Sequence, residues 1–475
     1  MRLRAPLLGI ACTIAAVCLG SAPAGAAGFL TSRFGADHGQ PALSTPYAVY
    51  FNPAALGGMR GTHIIGDGIL ALRSITHTRT DGALSPSDPA YKADPKYKDA
   101  NTGENSANNI LASPYLGVTT DLGTSSFRLG AAAYVPFGGA IKWNQDSAWA
   151  NDPYAKGAVD GPQRWSSISG RVMNLYNTLA LAYRIESMRL SFGVSGSLIV
   201  SSAQALRARN ADGSDDVLGP NGALVEGRSL LEVSGLGFTM GGGVHWEPLE
   251  NRKLRIGLSY MAPANFGSEM RLKGTLEQQF GSTPSVAKQI EVDLLQKLPD
   301  VLRIGAAYRL SDTLELRGDA QWERWSLFER NCVVYRDAAC DLGPNGEADA
   351  SKVILGIPRG WKDALGVRAG AAYWPIKALE VFGSLGLGTS AIPKAHLDAA
   401  SFDSTNLFGT LGARYQATSH LGIAGSFTHI QYFDVTVSDG QSFLYEHASP
   451  SKSPSGVGEY SARVSFLNVN VTYSF

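Results

Sequence analysis

Apolar and polar residues alternate through most of this chain. In residues 467–475 every second residue is apolar, and those between are asparagine, threonine or serine. Successive side chains of a β-strand point to opposite faces, so this segment is expected to form a strand with one apolar and one polar face. The alternation recurs over residues 302–309 and 365–373, and in further segments from Met59 onward. The pattern predicts an all-β fold.

A single alternating strand fits a soluble β-sandwich as well as a membrane barrel. Many such segments, each about ten residues long and ending in aromatic residues, are typical of a transmembrane β-barrel. Charged residues make up only 17% of the chain, below the usual ~25%. After residue 26 no apolar run reaches the length of about 18 residues that a transmembrane helix needs. The terminal Phe475 also fits the last strand of an outer-membrane barrel.

Short turns and long polar loops alternate along the chain. The short connections lie at residues 122–125, 186–187, 249–252, 311–312, 375–377 and 418–419. The longer segments lie at residues 81–108, 139–167, 210–232, 275–296, 336–359, 394–403 and 440–458. Outer-membrane barrels have short periplasmic turns and long extracellular loops. These connections predict a 14-stranded antiparallel transmembrane β-barrel over residues 59–475, closed so that no sheet edge is exposed.

The first 26 residues have the features of a secretion signal. They combine a basic start, an apolar stretch at residues 7–19 and small residues before a cleavage site after Ala26. An uncleaved membrane anchor is the alternative, but the apolar stretch is too short for it. We therefore expect an exported protein that resides in the outer membrane of a Gram-negative bacterium.

Residues 27–58 do not alternate and contain glycine, proline and short apolar clusters. They could form either a disordered leader or a plug inside the barrel. A barrel with this number of strands has a lumen wider than its own side chains can fill. We therefore expect an N-terminal hatch that plugs the lumen.

Charge and cysteine usage exclude several classes of partner. The 41 Lys and Arg residues balance 41 Asp and Glu residues, so no basic surface for nucleic acid is expected. Outside the signal, the cysteines are Cys332 and Cys340. In an exported chain this spacing favours a disulfide over two free thiols. No further metal-ligating side chains accompany them, so we expect neither a metal nor another cofactor.

Several segments resemble those of the FadL-type outer-membrane transporters of long-chain fatty acids and aromatic hydrocarbons. They are residues 27–29 at the expected mature start, the Asn52-Pro53-Ala54 core, Trp325 to Phe328, residues 360–364 with Arg368, and residues 390–393. The resemblance implies a hatch that includes Asn52, Pro53 and Ala54, with the mature N terminus near a hydrophobic pocket. It also implies an inward kink in the third strand that opens the wall sideways into the membrane.

The third strand contains a candidate for this kink at Pro136, Phe137, Gly138 and Gly139. Proline cannot donate a hydrogen bond to the sheet, and the glycines that follow favour a bulge or bend. Alternatively, Pro136 simply ends the strand where the long loop begins.

The ligand-binding candidates combine a head-group site with aromatic contacts. Strand alternation predicts that Lys362 and Arg368 face the lumen, where a buried carboxylate would need a cation. Alternatively, these cations pair with lumen acids such as Asp319 and Glu323 on the preceding strand. We expect three aromatic residues in the matched segments to contact the ligand: Phe29, Trp325 and Phe328.

The expected function is passive uptake of hydrophobic molecules, foremost long-chain fatty acids, through a plugged barrel with a lateral opening. Uptake of aromatic or aliphatic hydrocarbons and a general porin are the alternatives. The eight histidines form no catalytic motif with a serine or acid, so we do not expect an enzyme. The expected partners are the ligand, outer-membrane lipid and lipopolysaccharide, and the barrel-assembly machinery through the C-terminal strand. We expect a monomer.

Overall fold

The computed structural model describes residues 30–31, 33–281 and 287–475. The expected signal peptide and Phe29 lie outside the described residues. The β-strands are β1 (Leu30–Thr31), β2 (Thr62–Arg79), β3 (Gly103–Thr120), β4 (Phe127–Lys142), β5 (Ser169–Ile185), β6 (Leu190–Arg209), β7 (Gly227–Trp246), β8 (Leu254–Met261), β9 (Met270–Gln279), β10 (Lys288–Gln296), β11 (Val301–Arg309), β12 (Leu314–Glu323), β13 (Arg330–Tyr335), β14 (Val353–Pro358), β15 (Ala364–Ile376), β16 (Leu379–Gly388), β17 (Asn406–Gln416), β18 (Leu421–Tyr432), β19 (Val435–Val437) and β20 (Gly458–Ser474).

Helices are few and short. The α-helices are α1 (Ala48–Phe51) and α2 (Pro95–Asn101). The 3-10 helices are Ala36–His38, Pro53–Gly58, Asp81–Ala83, Pro89–Ala93, Ser147–Trp149, Lys156–Asp160, Pro162–Trp165, Glu186–Met188, Ala264–Gly267, Trp325–Leu327 and Lys394–His396. Within the described ranges, no helix has the length and apolar character needed to cross a membrane.

The strands close into an antiparallel barrel. The first wall strand, β2, pairs with β3 on one side and with the last strand, β20, on the other. Some wall strands consist of two consecutive segments, namely β8 with β9, β10 with β11, β12 with β13, β14 with β15 and β18 with β19. Segments β2 to β20 therefore make 14 wall strands. The predicted 14-stranded barrel is confirmed.

The outer surface of the barrel is apolar and its inner surface is polar. In β20, Val469 is 60% exposed, whereas the neighbouring Asn468 and Asn470 are buried. In β16, Leu385 is 74% exposed. A soluble sandwich would bury these apolar faces, whereas a membrane barrel turns them toward lipid. The orientation of the alternating faces therefore decides between the two readings of the pattern.

The connections alternate in length as predicted, but the strands continue beyond their predicted ends. The strand β3 begins at Gly103, inside a segment predicted as loop, and β4 continues to Lys142. Backbone pairing does not depend on side-chain polarity, so a strand can extend past the apolar belt into water. The alternative in which Pro136 ends the strand is therefore wrong.

Residues 33–58 lie inside the barrel and contact opposite parts of its wall. The Tyr115 hydroxyl of β3 donates to the Pro46 carbonyl at 2.8 Å, and the Ser259 hydroxyl of β8 donates to the Phe51 carbonyl at 2.5 Å. The side chain of Phe34 is fully buried. This placement is consistent with a hatch and excludes a solvated leader for the described part of the segment.

Asn52 organises the middle of this segment. Its side-chain oxygen accepts a hydrogen bond from the Ala54 backbone at 3.1 Å and caps the 3-10 helix that begins at Pro53. Its amide nitrogen donates to the carbonyls of Pro41 at 2.9 Å and Val244 at 3.0 Å. Asn52 therefore joins two parts of the segment to strand β7.

Glycines on three neighbouring strands let the N-terminal segment approach the wall. A Cβ atom at Gly193 would lie 2.2 Å from the Ala54 nitrogen, and one at Gly257 would lie 2.0 Å from the Pro41 carbonyl oxygen. A Cβ at Gly243 would lie 2.2 Å from the Asn52 side-chain oxygen. These strand positions need glycine because backbone and cap atoms occupy the space of a side chain.

Cys332 on β13 and Cys340 in the following loop are joined by a disulfide, with their Cα atoms 6.2 Å apart. Both side chains are buried beside Leu295, Val334 and Val353. The bond ties the start of this long loop to the upper part of the wall.

Candidate functional site

A cavity of about 220 Å³, here called the inner cavity, lies between the N-terminal segment and the wall. Its lining is largely aromatic and aliphatic and includes Phe34, Ile75, Trp325, Phe402, Phe408, Ile430, Tyr432 and Val464. Such a lining favours an apolar ligand, because apolar surface gains free energy when it leaves water.

Two arginines bring positive charge to the inner cavity. The Arg33 guanidinium lies 3.6 Å from the centre of the Phe408 ring, a cation–π contact. Burial lowers the pKa of Arg33, and the nearby positive charge of Arg368 lowers it further, to about 10. The Arg33 guanidinium therefore stays protonated at neutral pH. On the wall, Arg73 of β2 donates to the Ala140 carbonyl of β4.

Arg368 lines the same cavity but is bound by the protein itself. Its guanidinium contacts Asp319 at 2.7 Å and Asp37 at 3.5 Å. It also donates to the carbonyls of Ala36 at 2.9 Å and Gly39 at 2.8 Å. The structure thus shows the alternative pairing with Asp319, and Arg368 serves to anchor the N-terminal segment.

Lys362 is exposed and does not contribute to the cavity lining. Strand β15 begins only at Ala364, so the alternation that places Arg368 inward does not extend to Lys362. The predicted lumen position of Lys362 is therefore wrong. Of the two nearby acids considered as partners, Glu323 accepts a hydrogen bond from the Trp325 indole at 2.6 Å.

A second cavity of about 170 Å³, the outer cavity, lies nearer the long loops. Its apolar lining includes Leu206, Leu231, Leu276, Leu294, Phe328, Val333 and Leu355. Arg207 lines it as well, together with an ion pair in which Arg359 contacts Asp398 at 3.2 Å. The two described aromatic candidates therefore line different cavities: Trp325 lines the inner cavity and Phe328 lines the outer one.

The wall loses its pairing between β3 and β4. Regular pairing ends at Tyr115 and Tyr134. Immediately beyond, Val135 and Pro136 lie opposite a single residue of β5, which makes a β-bulge. Pro114 of β3 stands at the same level. Neither proline has an N–H group to donate to the β-ladder. The two strands therefore separate at the level where each of them contains a proline.

Other groups cover the edges of this gap. Above it, the Asn109 side chain donates to the Lys142 carbonyl at 3.0 Å and reconnects β3 with β4. Within it, β1 pairs with Phe137 and Gly138 of β4. The segment predicted as a kink therefore lies in a bulged strand whose free edge is covered by the N-terminal segment, and Gly139 follows in the same strand.

A family model described as "Outer membrane protein transport protein (OMPP1/FadL/TodX)" matches residues 38–475. The chain belongs to this family. It is therefore an outer-membrane protein of the FadL/TodX family, as the sequence resemblance predicted.

Solved structures share this fold. A FadL homologue from Pseudomonas aeruginosa is 15% identical with a TM-score of 0.71, and the match covers 95% of this chain and all 100% of that one. The toluene transporter TbuX of Ralstonia pickettii is 16% identical with a TM-score of 0.62, covering 94% and 98% of the two chains. The Neisseria meningitidis serogroup B protein named "Putative outer membrane protein NMB0088" is 21% identical over 230 residues, or 46% of this chain and 48% of that protein. This match spans about half the length of the relative.

Sequence reasoning missed several residues of this FadL/TodX-family site. Arg73 could have been found, because it is a charged residue at an inward position of β2 among apolar neighbours. Pro114 could have been noticed as the counterpart of Pro136. Arg33 has no periodic signal, since the N-terminal segment does not alternate. Trp361 lies in residues 360–364, a segment that resembles the family. The sequence analysis predicted only the charged Lys362 of this segment as ligand-binding.

Replacing Arg368 by alanine should strongly destabilise the protein. The change leaves Asp319 and Asp37 without their buried cation, and breaking a buried ion pair costs about 3–5 kcal/mol. The exposed Lys362→Ala variant should stay within about 0.5 kcal/mol of the wild type. Urea unfolding of the refolded protein in lipid vesicles measures both. Equal stability of the two variants would contradict the anchoring role of Arg368.

Proposed function

We propose that this protein takes up long-chain fatty acids passively across the outer membrane. The observation that carries the proposal is the inner cavity, in which the Arg33 guanidinium lies against the Phe408 ring within a lining that is mainly apolar and also includes Glu323 and Asp403. The nearby carboxylates Asp37 and Asp319 are bound by Arg368, and no ion pair links Arg33 to an acid within the described ranges. A ligand with an alkyl tail and an anionic head matches both features.

The tail supplies the binding energy and the head supplies the orientation. Burying each CH₂ group gains about 0.8 kcal/mol, so a long tail binds without an energy source. A buried cation is costly unless it is paired. A carboxylate at Arg33 would form charge-assisted hydrogen bonds, for which the guanidinium geometry is well suited. Phe408 already holds the guanidinium from one side.

Uptake of neutral hydrocarbons is the second candidate. It is supported by the fold shared with structures that include a toluene transporter, and by the apolar lining, which would accept an aromatic or aliphatic molecule. Among the described residues, a neutral molecule would leave Arg33 with its contact to the Phe408 ring and no anionic partner. The packing of the N-terminal segment against β5, β6 and β7 argues against a general porin, because it occupies lumen space that an open channel would need.

The proposed route runs from the outer cavity to the inner cavity and then sideways through the gap between β3 and β4. The N-terminal segment acts as the hatch and blocks the direct way to the periplasm, since Asn52, Pro53 and Ala54 press against glycines of the wall. Displacement of β1 from the edge of β4 would uncover the gap. The ligand then enters the membrane without crossing water.

The remaining partners follow from the barrel surface. Its apolar outer face is covered by outer-membrane lipid, and its long loops face the lipopolysaccharide layer. The C-terminal strand, which ends at Phe475, is the element offered to the barrel-assembly machinery. The protein acts as a monomer in this proposal.

Arg33→Gln should weaken binding of hexadecanoic acid far more than binding of hexadecanol. Only the acid loses a charge-assisted hydrogen bond, about 1.5–3 kcal/mol, which corresponds to roughly ten- to hundredfold in Kd. Competition against a fluorescent fatty acid measures both affinities. Lys362→Ala is the matched control and should leave both unchanged. Equal losses for acid and alcohol in Arg33→Gln would sink the head-group role and favour neutral hydrocarbons.

Fatty-acid affinity should fall as the pH rises from 6 to 8, because Asp403 lines the inner cavity and ionises in this range. Burial raises the pKa of Asp403 to about 7; the Ala391 N–H opposes the shift, and the Glu323 charge adds to it. An ionised Asp403 repels the fatty-acid carboxylate. Asp403→Asn should abolish the pH dependence, and hexadecanol should show none in either protein. A pH dependence that survives in Asp403→Asn would exclude Asp403 as its source.

A further inference from the structure

We propose that the indole of Trp361 is a gate between the outer and inner cavities, and that it limits both the rate of transfer and the width of the ligand. This inference rests on the proposed function, since it concerns movement of the same ligand between the two cavities. Trp361 lines both cavities, and its side chain is only 6% exposed.

The gate is built from interruptions in neighbouring wall strands. The strand formed by β12 and β13 is interrupted at residues 324–329, and the adjacent strand formed by β14 and β15 is interrupted at residues 359–363. The two interruptions lie side by side, because Glu323 pairs with Ala364 below them and Arg330 pairs with Pro358 above them. Residues freed from the ladder can turn inward, and both interruptions place aromatic rings in the lumen.

These rings form a continuous row of contacts. The Trp361 ring centre lies 5.0 Å from that of Trp325, on the inner side, and 4.7 Å from that of Phe328, on the outer side. Trp325 in turn lies 5.7 Å from Phe137 in the bulged strand β4. Because Trp361 lines both cavities, a ligand that moves from the outer cavity to the inner cavity passes along its ring.

Hydrogen bonds hold the backbone on both sides of Trp361, whereas its ring lies at the boundary between the two cavities. The amides of Arg359 and Gly360 both donate to the Glu329 carbonyl, at 2.7 and 2.9 Å, and the Lys362 amide donates to the Ala391 carbonyl at 2.8 Å. Gly360 has φ +48°, a conformation that disfavours a side chain at this position. With the main chain held on both sides of Trp361, rotation of the indole is the motion that can join the cavities.

Such a ring selects ligands by cross-section. A slender alkyl chain needs only a small displacement of the indole, whereas a fused ring system needs the ring to leave its contacts with Trp325 and Phe328 together. The gate therefore favours straight-chain acids over bulky aromatic ones, a preference that neither cavity lining imposes by itself.

The test is stopped-flow binding to the full-length protein in lipid nanodiscs, with cis-parinaric acid as a slender probe and a pyrene-tailed fatty acid as a bulky one. The wild type should bind cis-parinaric acid in a fast phase at the outer cavity and a slow phase at the inner cavity. Arg33→Gln should reduce the amplitude of the slow phase, because Arg33 lines the inner cavity. Trp361→Ala removes the ring contacts with Trp325 and Phe328 and should accelerate the slow phase about tenfold or more. Trp361→Phe should give an intermediate rate. The pyrene acid should gain a slow phase only in Trp361→Ala.

Trp374→Ala is the matched control, because it removes an indole that lines neither cavity. Electrophoretic mobility before and after heating reports whether each variant is folded, and Trp361→Phe replaces Trp361→Ala if the latter does not fold. A single phase in the wild type, or a slow phase that neither Trp361 variant accelerates, overturns the gate. No saturable binding of cis-parinaric acid by the wild type would instead overturn the proposed function.

Discussion

The need to pair every backbone N–H and C=O group within lipid governs this structure. A closed barrel meets it by joining β20 to β2, which leaves no sheet edge in the membrane. The separation of β3 from β4 breaks this rule. There the chain compensates: Pro114 and Pro136 have no N–H to satisfy, β1 pairs with the free edge of β4, and Arg73 donates to the Ala140 carbonyl. An opening built with so many compensations is expected to serve the protein's function.

The wide lumen imposes the second requirement. The N-terminal segment lies in it and is held through polar groups at two points, by Arg368 near its start and by Asn52 farther along. This segment supplies Arg33 to the inner cavity, and β1, which directly precedes it in the chain, lies at the gap. In the proposed route, ligand binding, plugging and exit therefore depend on one stretch of chain, which provides a physical route for coupling among them.

Much of the fold could be predicted because lipid and water dictate opposite faces of each strand. The alternation correctly placed the faces of β15 and β20, including Arg368 inside the lumen. It failed for Lys362, which precedes its strand, and it carries no information where strands are interrupted or absent. Arg33 and Trp361 lie in such places, so their positions depend on tertiary packing. The site was therefore less predictable than the barrel that contains it.

The central claim is that the ligand leaves sideways through the gap, and deletion of Pro136 tests it most directly. The bulge has one residue more than β5 opposite it, so the deletion restores continuous register and keeps Phe137 facing inward. Pro136→Ala, which retains the extra residue, is the control, and slowed amide exchange at Ile110 and Leu111 reports closure. The account predicts that the closed variant still binds hexadecanoic acid but loses uptake of it by cells. If the Pro136 deletion closes the wall and cells still take up hexadecanoic acid at the wild-type rate, the account is contradicted.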